Sequence, residues 1–202
     1  MDFIAFDLET TGVRSREDFI VEIGAVRFSG NQAKESFGVL IDPGVPMPPP
    51  ASAVNGITDE MLRGQPSIDK VLGDFARFCG ELPLVAHNAP FDFKFLLEAI
   101  KQYRAPSPRG VVLDTLPLAR QIFPGLPNYK LPTLVRHFGF PSGIFHRAEE
   151  DSAYCGMLFA KIVETIECRG EKVSEEDLLR RINKAPMRFP YFPEPLDQLD
   201  LF

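Results

Sequence analysis

Met1-Asp2-Phe3-Ile4-Ala5-Phe6-Asp7-Leu8-Glu9-Thr10-Thr11-Gly12 opens the chain. Met1 to Glu9 reads as a strand, with Ile4, Phe6 and Leu8 on one face and Phe3, Ala5, Asp7 and Glu9 on the other. At about 3.3 Å of rise per residue, Asp7 and Glu9 stand roughly 6.6 Å apart along the strand and point the same way. Thr10-Thr11-Gly12 ends the strand in a turn. A face that begins as core thus ends in two acids.

Two further blocks repeat the pattern. Phe91 to Tyr103 predicts a helix whose apolar stripe is Phe95, Leu96, Ala99 and Tyr103, with Asp92 at its head. Glu149 to Glu167 predicts a second helix, with Tyr154, Leu158, Ile162 and Ile166 in one row and Cys155, Phe159 and Val163 beside it. Asp151 falls on its buried side, in the first turn, and His146 lies on the connection entering it. The chain has 28 acidic residues, so any one of these could be a surface acid or a helix-start acid favoured by the dipole. Four pointing inward is another matter. Buried acids without a cation repel one another and lose their hydration. Divalent cations remove that conflict, and oxygen-only ligands select hard ions such as magnesium or manganese.

The three blocks resemble the signature motifs of the DEDDh, or DnaQ-like, 3′-to-5′ exonuclease family, which includes bacterial polymerase proofreading subunits. The likeness covers roughly residues 1–168. It includes Ile20-Val21-Glu22-Ile23-Gly24-Ala25-Val26, Val54-Asn55-Gly56-Ile57-Thr58, and Asp114-Thr115-Leu116 leading to Leu118-Ala119-Arg120. The resemblance implies an α/β, ribonuclease H-like fold, with a mixed five-stranded sheet flanked by helices. It implies that Asp7, Glu9, Asp92 and Asp151 hold two divalent cations, Mg2+ or Mn2+, and that His146 is the general base. A tyrosine branch of the family carries Tyr four residues before the last acid, where this chain has Arg147; His146 stands five before. Leu8, Thr10 and Thr11 are candidates for cradling the terminal nucleotide, again by resemblance.

Other residues near the motifs carry two readings each. His87, ending a strand expected over Leu82 to His87, either lines the nucleotide side with Asn88 or has a structural role. Phe91 either stacks on a terminal base, worth about 1–3 kcal/mol, or packs in the core. His137, on a short helix expected over Leu131 to Phe140, reads as an ordinary half-exposed residue. Ile41 to Ala53 is rich in proline and is expected to wrap the sheet edge before Gly56-Ile57-Thr58 begins a helical turn.

The chain of 202 residues, 45% hydrophobic, suits one domain with an appendage. Cys79, Cys155 and Cys168 are odd in number and lack metal-ligand spacing, so reduced thiols and a cytoplasmic location are expected. The acids at positions 2, 7 and 9 argue against a signal peptide, and no stretch is long enough to span a membrane. Net charge is −6, so the protein should hold few phosphates and let go of nucleic acid often. Something else would have to keep it near its substrate.

The C-terminus offers a candidate. Residues 169–197 read as a charged, then proline-rich tail, with a helix cap at Ser174-Glu175-Glu176-Asp177 leading into Leu178, Leu179 and Ile182. Residues 198–202, Gln198-Leu199-Asp200-Leu201-Phe202, resemble the peptide by which bacterial polymerases and repair proteins dock on the sliding clamp. The expected partners are therefore DNA with a single-stranded or frayed 3′ end and the sliding clamp, with a DNA polymerase as a further partner. An RNA-trimming relative and a catalytically dead clamp-bound adaptor are the alternatives.

Overall fold

The computed structural model describes residues 1–141 and 147–192. The opening strand, β1 (Asp2–Thr10), is the middle strand of a five-stranded sheet. On one side it pairs antiparallel with β2 (Ile20–Ser29), which pairs antiparallel with β3 (Gln32–Leu40). On the other it runs parallel to β4 (Leu84–Ala86), which is parallel to β5 (Val112–Asp114), giving the order β3-β2-β1-β4-β5. The mixed sheet flanked by helices is the architecture that the motifs imply. The acids of β1 emerge at its C-terminal end, where an α/β sheet with parallel strands places its ligands.

The two faces of β1 divide as the alternation predicts. Phe3 and Ala5 enter a core with α5 (Thr115–Ile122), α6 (Leu131–Phe138) and α7 (Ala148–Cys168), while Ile4, Phe6 and Leu8 enter one with α3 (Ile68–Cys79) and α4 (Pro90–Tyr103). Phe3 stacks on Phe28 at 5.1 Å and meets Phe159 edge-on at 4.7 Å, so aromatic contacts bind α7 to the first hairpin. The helix lies unusually close to the sheet. A Cβ at Gly24 would come within 2.0 Å of the Ala148 carbonyl carbon, and one at Gly156 within 2.1 Å of the Phe28 ring. Glycine at position 24 lets the first turn of α7 rest on the backbone of β2, and glycine at 156 lets the middle of the helix rest on the Phe28 ring.

Two expectations need correction. The proline-rich stretch, expected to wrap the sheet edge, turns helical towards its end: Pro49–Asn55 forms α1, with proline in the first turn where its missing N–H costs nothing. Gly56, at φ 70°, ends that helix rather than beginning one, and Thr58 precedes α2 (Asp59–Leu62). Met47, Ile57 and Leu62 then cover Val21 in a small separate core.

The second correction concerns residues 169–192, which were expected as tail and linker. The helix cap is present, as Ser174 and Asp177 form a capping box for α8 (Glu175–Ile182). However, Leu178 and Ile182 are buried in the α7 core, so the helix belongs to the domain. Beyond it, the Met187 carbonyl accepts a hydrogen bond from the Val112 N–H at 2.9 Å, covering the edge of β5. Phe189 packs on Phe93 at 4.8 Å, and the Ser107 hydroxyl donates to the Pro190 carbonyl. Arg109 and Arg104 lie over the rings of Tyr191 and Phe192. Proline suits a segment that lies along a sheet edge, where not every backbone N–H needs a partner. Gln198 to Phe202 lie outside the described residues. Among the described residues, no helix is long and apolar enough to cross a membrane.

Candidate metal centre

The end of the central strand and the first turns of two helices bring the acids together. Asp7 and Glu9 come from the end of β1, and Asp151 from the first turn of α7. One carboxylate oxygen from each can be chosen so that all three lie within 4.8 Å of one another. Asp92 arrives from the first turn of α4, where its carboxylate accepts the Leu8 N–H at 3.2 Å. It therefore grips the backbone between the two acids of β1. Asp92 and Asp151 are 3% and 9% exposed, which removes them from the class of solvated surface acids.

Such crowding is electrostatically unfavourable without a cation. Burial, and then the charges of Asp92, Asp151, Glu9 and Glu22, push the Asp7 carboxyl well above the usual aspartate range. Burial likewise raises Glu9 to about 7, with Asp151 and Glu22 adding to it and Asn55 and Arg147 opposing it. Asp92 is raised to about 8, mainly by burial, although its backbone N–H contacts pull the other way. Carboxylates raised this far repel each other when ionised, and a hard divalent ion is the partner their chemistry selects. The oxygen-only donor set fits magnesium or manganese rather than a softer metal.

The remaining motif residues divide by contact. Leu8 is buried and spends its N–H on Asp92. Thr10 donates its hydroxyl to the Gly12 carbonyl, and the Thr11 hydroxyl accepts the Phe19 N–H, so both side chains shape the turn that leaves β1. Phe91 is partly buried, with its ring 5.0 Å from that of Phe95. Asn88 adopts a left-handed backbone at φ 66°, held by its N–H donating to the Asp114 carboxylate.

His87 is engaged by the protein at both ring nitrogens. Nε2 lies 2.7 Å from the Tyr129 carbonyl, which can only accept, so Nε2 carries the proton and donates. Nδ1 lies 2.8 Å from the Thr115 hydroxyl and accepts from it. Burial depresses the imidazole pKa, which favours this neutral form. The structural reading of His87 accounts for every polar atom of its ring. His137 is exposed, edge-on to Phe138 at 4.8 Å. His146 lies outside the described residues.

Three polar residues around the acids were quoted only as parts of longer motifs. Asn55 donates to the Thr10 carbonyl and accepts the Ile57 N–H, tying α1 to the end of β1. Asp114 holds Asn88 and caps α5 by accepting the Leu116 N–H. Glu22, 4% exposed and opposite Glu9 in the β1–β2 register, accepts hydrogen bonds from Nε and Nη2 of Arg147 and from the Ala148 N–H. Its signal was visible: an acid in the middle of the apolar run Ile20 to Val26.

Comparison with known proteins places these features in a family. Residues 4–159 match the exonuclease family typified by RNase T. The DNA polymerase III subunit epsilon of Aquifex aeolicus is 38% identical over 164 residues, covering 81% of each chain. That of Treponema pallidum is 40% identical over 163 residues, covering 80% of this chain and 76% of its own. The PolC-type DNA polymerase III of Clostridium perfringens is 36% identical over 192 residues, but the match is only 13% of that protein's length. Among solved structures, exonuclease X in complex with 5′-overhanging duplex DNA superimposes with a TM-score of 0.69 at 26% identity, covering 89% of this chain and 99% of that one.

Proposed function

This chain belongs to the RNase T-type exonuclease family, and from that membership we propose that it is a metal-dependent 3′-to-5′ DNA exonuclease releasing nucleoside monophosphates. The observation that carries the reading is the convergence of Asp7, Glu9 and Asp151 within 4.8 Å, with Asp92 locked to Leu8 between the first two. Asp7, Glu9, Asp92 and Asp151 would hold two divalent ions, Mg2+ or Mn2+. Bound there, the ions would acidify water and neutralise the charge on the phosphate and the departing 3′ oxygen.

The protein's own residues supply the rest. The Leu8 N–H holds Asp92 in place, so the carboxylates are oriented before substrate arrives. The Thr10–Gly12 and Thr11–Phe19 contacts give the turn after β1 a fixed shape against which a terminal nucleotide can lie. Asn88 and Phe91, at the entry to α4, are the further candidates for contacting that nucleotide. His146 is assigned the proton of the attacking water, a role suited to an imidazole that titrates near neutrality.

A single strand of DNA labelled at its 5′ end, incubated with Mn2+, should be shortened stepwise from the 3′ end, releasing mononucleotides. A matched RNA strand should be cut more slowly. Full activity in excess chelator would overturn the metal assignment, and faster cleavage of the RNA would overturn the assignment to DNA.

Recruitment is proposed to come from Gln198, Leu199, Asp200, Leu201 and Phe202. Leu201 and Phe202 are the apolar anchors for a pocket on the sliding clamp, with Leu199 and the Gln198 amide adding specificity. Tethering raises the local enzyme concentration at a primer end, which offsets the weak phosphate grip expected at a net charge of −6. Deleting residues 198–202 should leave cleavage of free oligonucleotides unchanged and remove stimulation by the clamp on a loaded template. Equal stimulation of both proteins would refute the docking role.

A further inference from the structure

We infer that the Glu22–Arg147 pair is a positioning device that sets Asp151 against Asp7 and Glu9; this rests on the proposed metal site. Helix α7 begins without a cap of its own, since Arg147 occupies the capping position and makes no side-chain cap hydrogen bond. An uncapped start leaves backbone donors without partners and frays readily. Glu22 supplies the missing acceptor from the neighbouring strand. Its carboxylate takes the Ala148 N–H at 3.1 Å and both Nη2 and Nε of Arg147, at 2.8 and 3.1 Å.

The anchor sits at a sensitive place. Glu22 lies opposite Glu9 in the β1–β2 register, so the strand that carries two of the proposed metal acids is paired directly with the strand that holds the helix. Asp151 lies in the first turn of that helix, four residues after Arg147. The Ser152 hydroxyl donates to the Gly24 carbonyl at 2.9 Å, a second tie between the same turn and the same strand. A fork-shaped guanidinium on a buried carboxylate fixes orientation as well as distance, which a flexible ammonium does not.

A role in holding the fold alone would predict a loss of stability with the metal affinity intact. A role through charge alone predicts a definite sign. Arg147 is a cation near Glu9, so removing it should make the site more negative and bind a dication more tightly. Positioning predicts the reverse. The Arg147→Gln protein should be folded in chelator, as judged by its melting curve. Titrated calorimetrically with Mn2+ alone, it should bind about tenfold more weakly than wild type, the size typical of groups that orient metal ligands.

Arg147→Lys, which keeps the charge but not the fork, should also bind more weakly, by a smaller factor. Equal or tighter binding by Arg147→Gln overturns the positioning role. If that variant does not fold, the lysine variant decides, and wild-type affinity there overturns it. A wild-type protein that binds no manganese instead removes the metal site itself, and the positioning role falls with it.

Discussion

Asp7→Asn is expected to lower turnover by about 10³-fold or more while raising the melting temperature of the metal-free protein. The loss follows from the proposed chemistry, in which these carboxylates would hold the ions and the ions would contribute several kcal/mol to stabilising the transition state. The gain follows from the crowding. Asp7 is raised by burial and by four neighbouring acids, so in the absence of metal its ionised form is a source of strain. Replacing it with a neutral side chain of the same shape relieves that strain and lightens the load on the acids around it.

The pH dependence has a definite sign. Asp92 titrates at about 8 in the folded protein against 3.8 for an ordinary aspartate, and Glu9 at about 7 against 4.5. Both pKa values are raised, so the folded state binds more protons than the unfolded one between those limits. Stability of the chelated protein therefore falls as pH rises from about 4 to about 8. Asp7→Asn should melt close to wild type at pH 5 and several degrees higher at pH 8, at about 2–4 °C per kcal/mol for a domain of this size. Added Mn2+ should reverse the ranking at pH 8. Scanning calorimetry at both pH values, with chelator and with metal, reads all four quantities. A variant that melts lower than wild type at pH 8 in chelator would show that the acids are not in conflict.

The sequence revealed the parts whose cause is local. Alternation along β1 divided its side chains between two cores, and the helical spacing of Phe95, Leu96 and Ala99 or of Tyr154, Leu158 and Ile162 set Asp92 and Asp151 on their inward faces. Each pattern has a period that the backbone geometry enforces. Convergence of the acids was also legible, because a shared divalent counter-ion is one partner that relieves the repulsion of buried like charges.

What stayed hidden depends on contacts between distant segments. Glu22 accepts hydrogen bonds from residues 125 and 126 positions away, and no local period announces such a bond. The docking of residues 187–192 on β5, on α4 and on the segment between them was missed for a related reason. Prolines and aromatics in sequence describe an extended segment equally well whether it floats free or lies along a sheet edge. His87 shows the same ambiguity from the other side. Its place at the end of a strand suggested substrate, but the Tyr129 carbonyl that holds its ring comes from a loop 42 residues further on.

His146→Ala tests the chemistry rather than the binding. Turnover should fall by about 10²–10⁴-fold, the usual contribution of a positioned general base, while calorimetric Mn2+ affinity stays near wild type, since the proposed ligands are the four carboxylates. That pairing separates it from Asp7→Asn and from Arg147→Gln, both of which should weaken metal binding. The pH profile separates it further. A base must be unprotonated to act, so wild-type turnover should decline on the acid side of its pH profile. In the alanine variant that inflection should be absent, leaving a low rate that varies smoothly with pH. The Glu22–Arg147 anchor remains in the variant, since neither partner is altered, so a lost rate cannot be assigned to a displaced helix. Unchanged turnover, or an unchanged inflection, would take His146 out of the mechanism and leave the proton of the attacking water to another group.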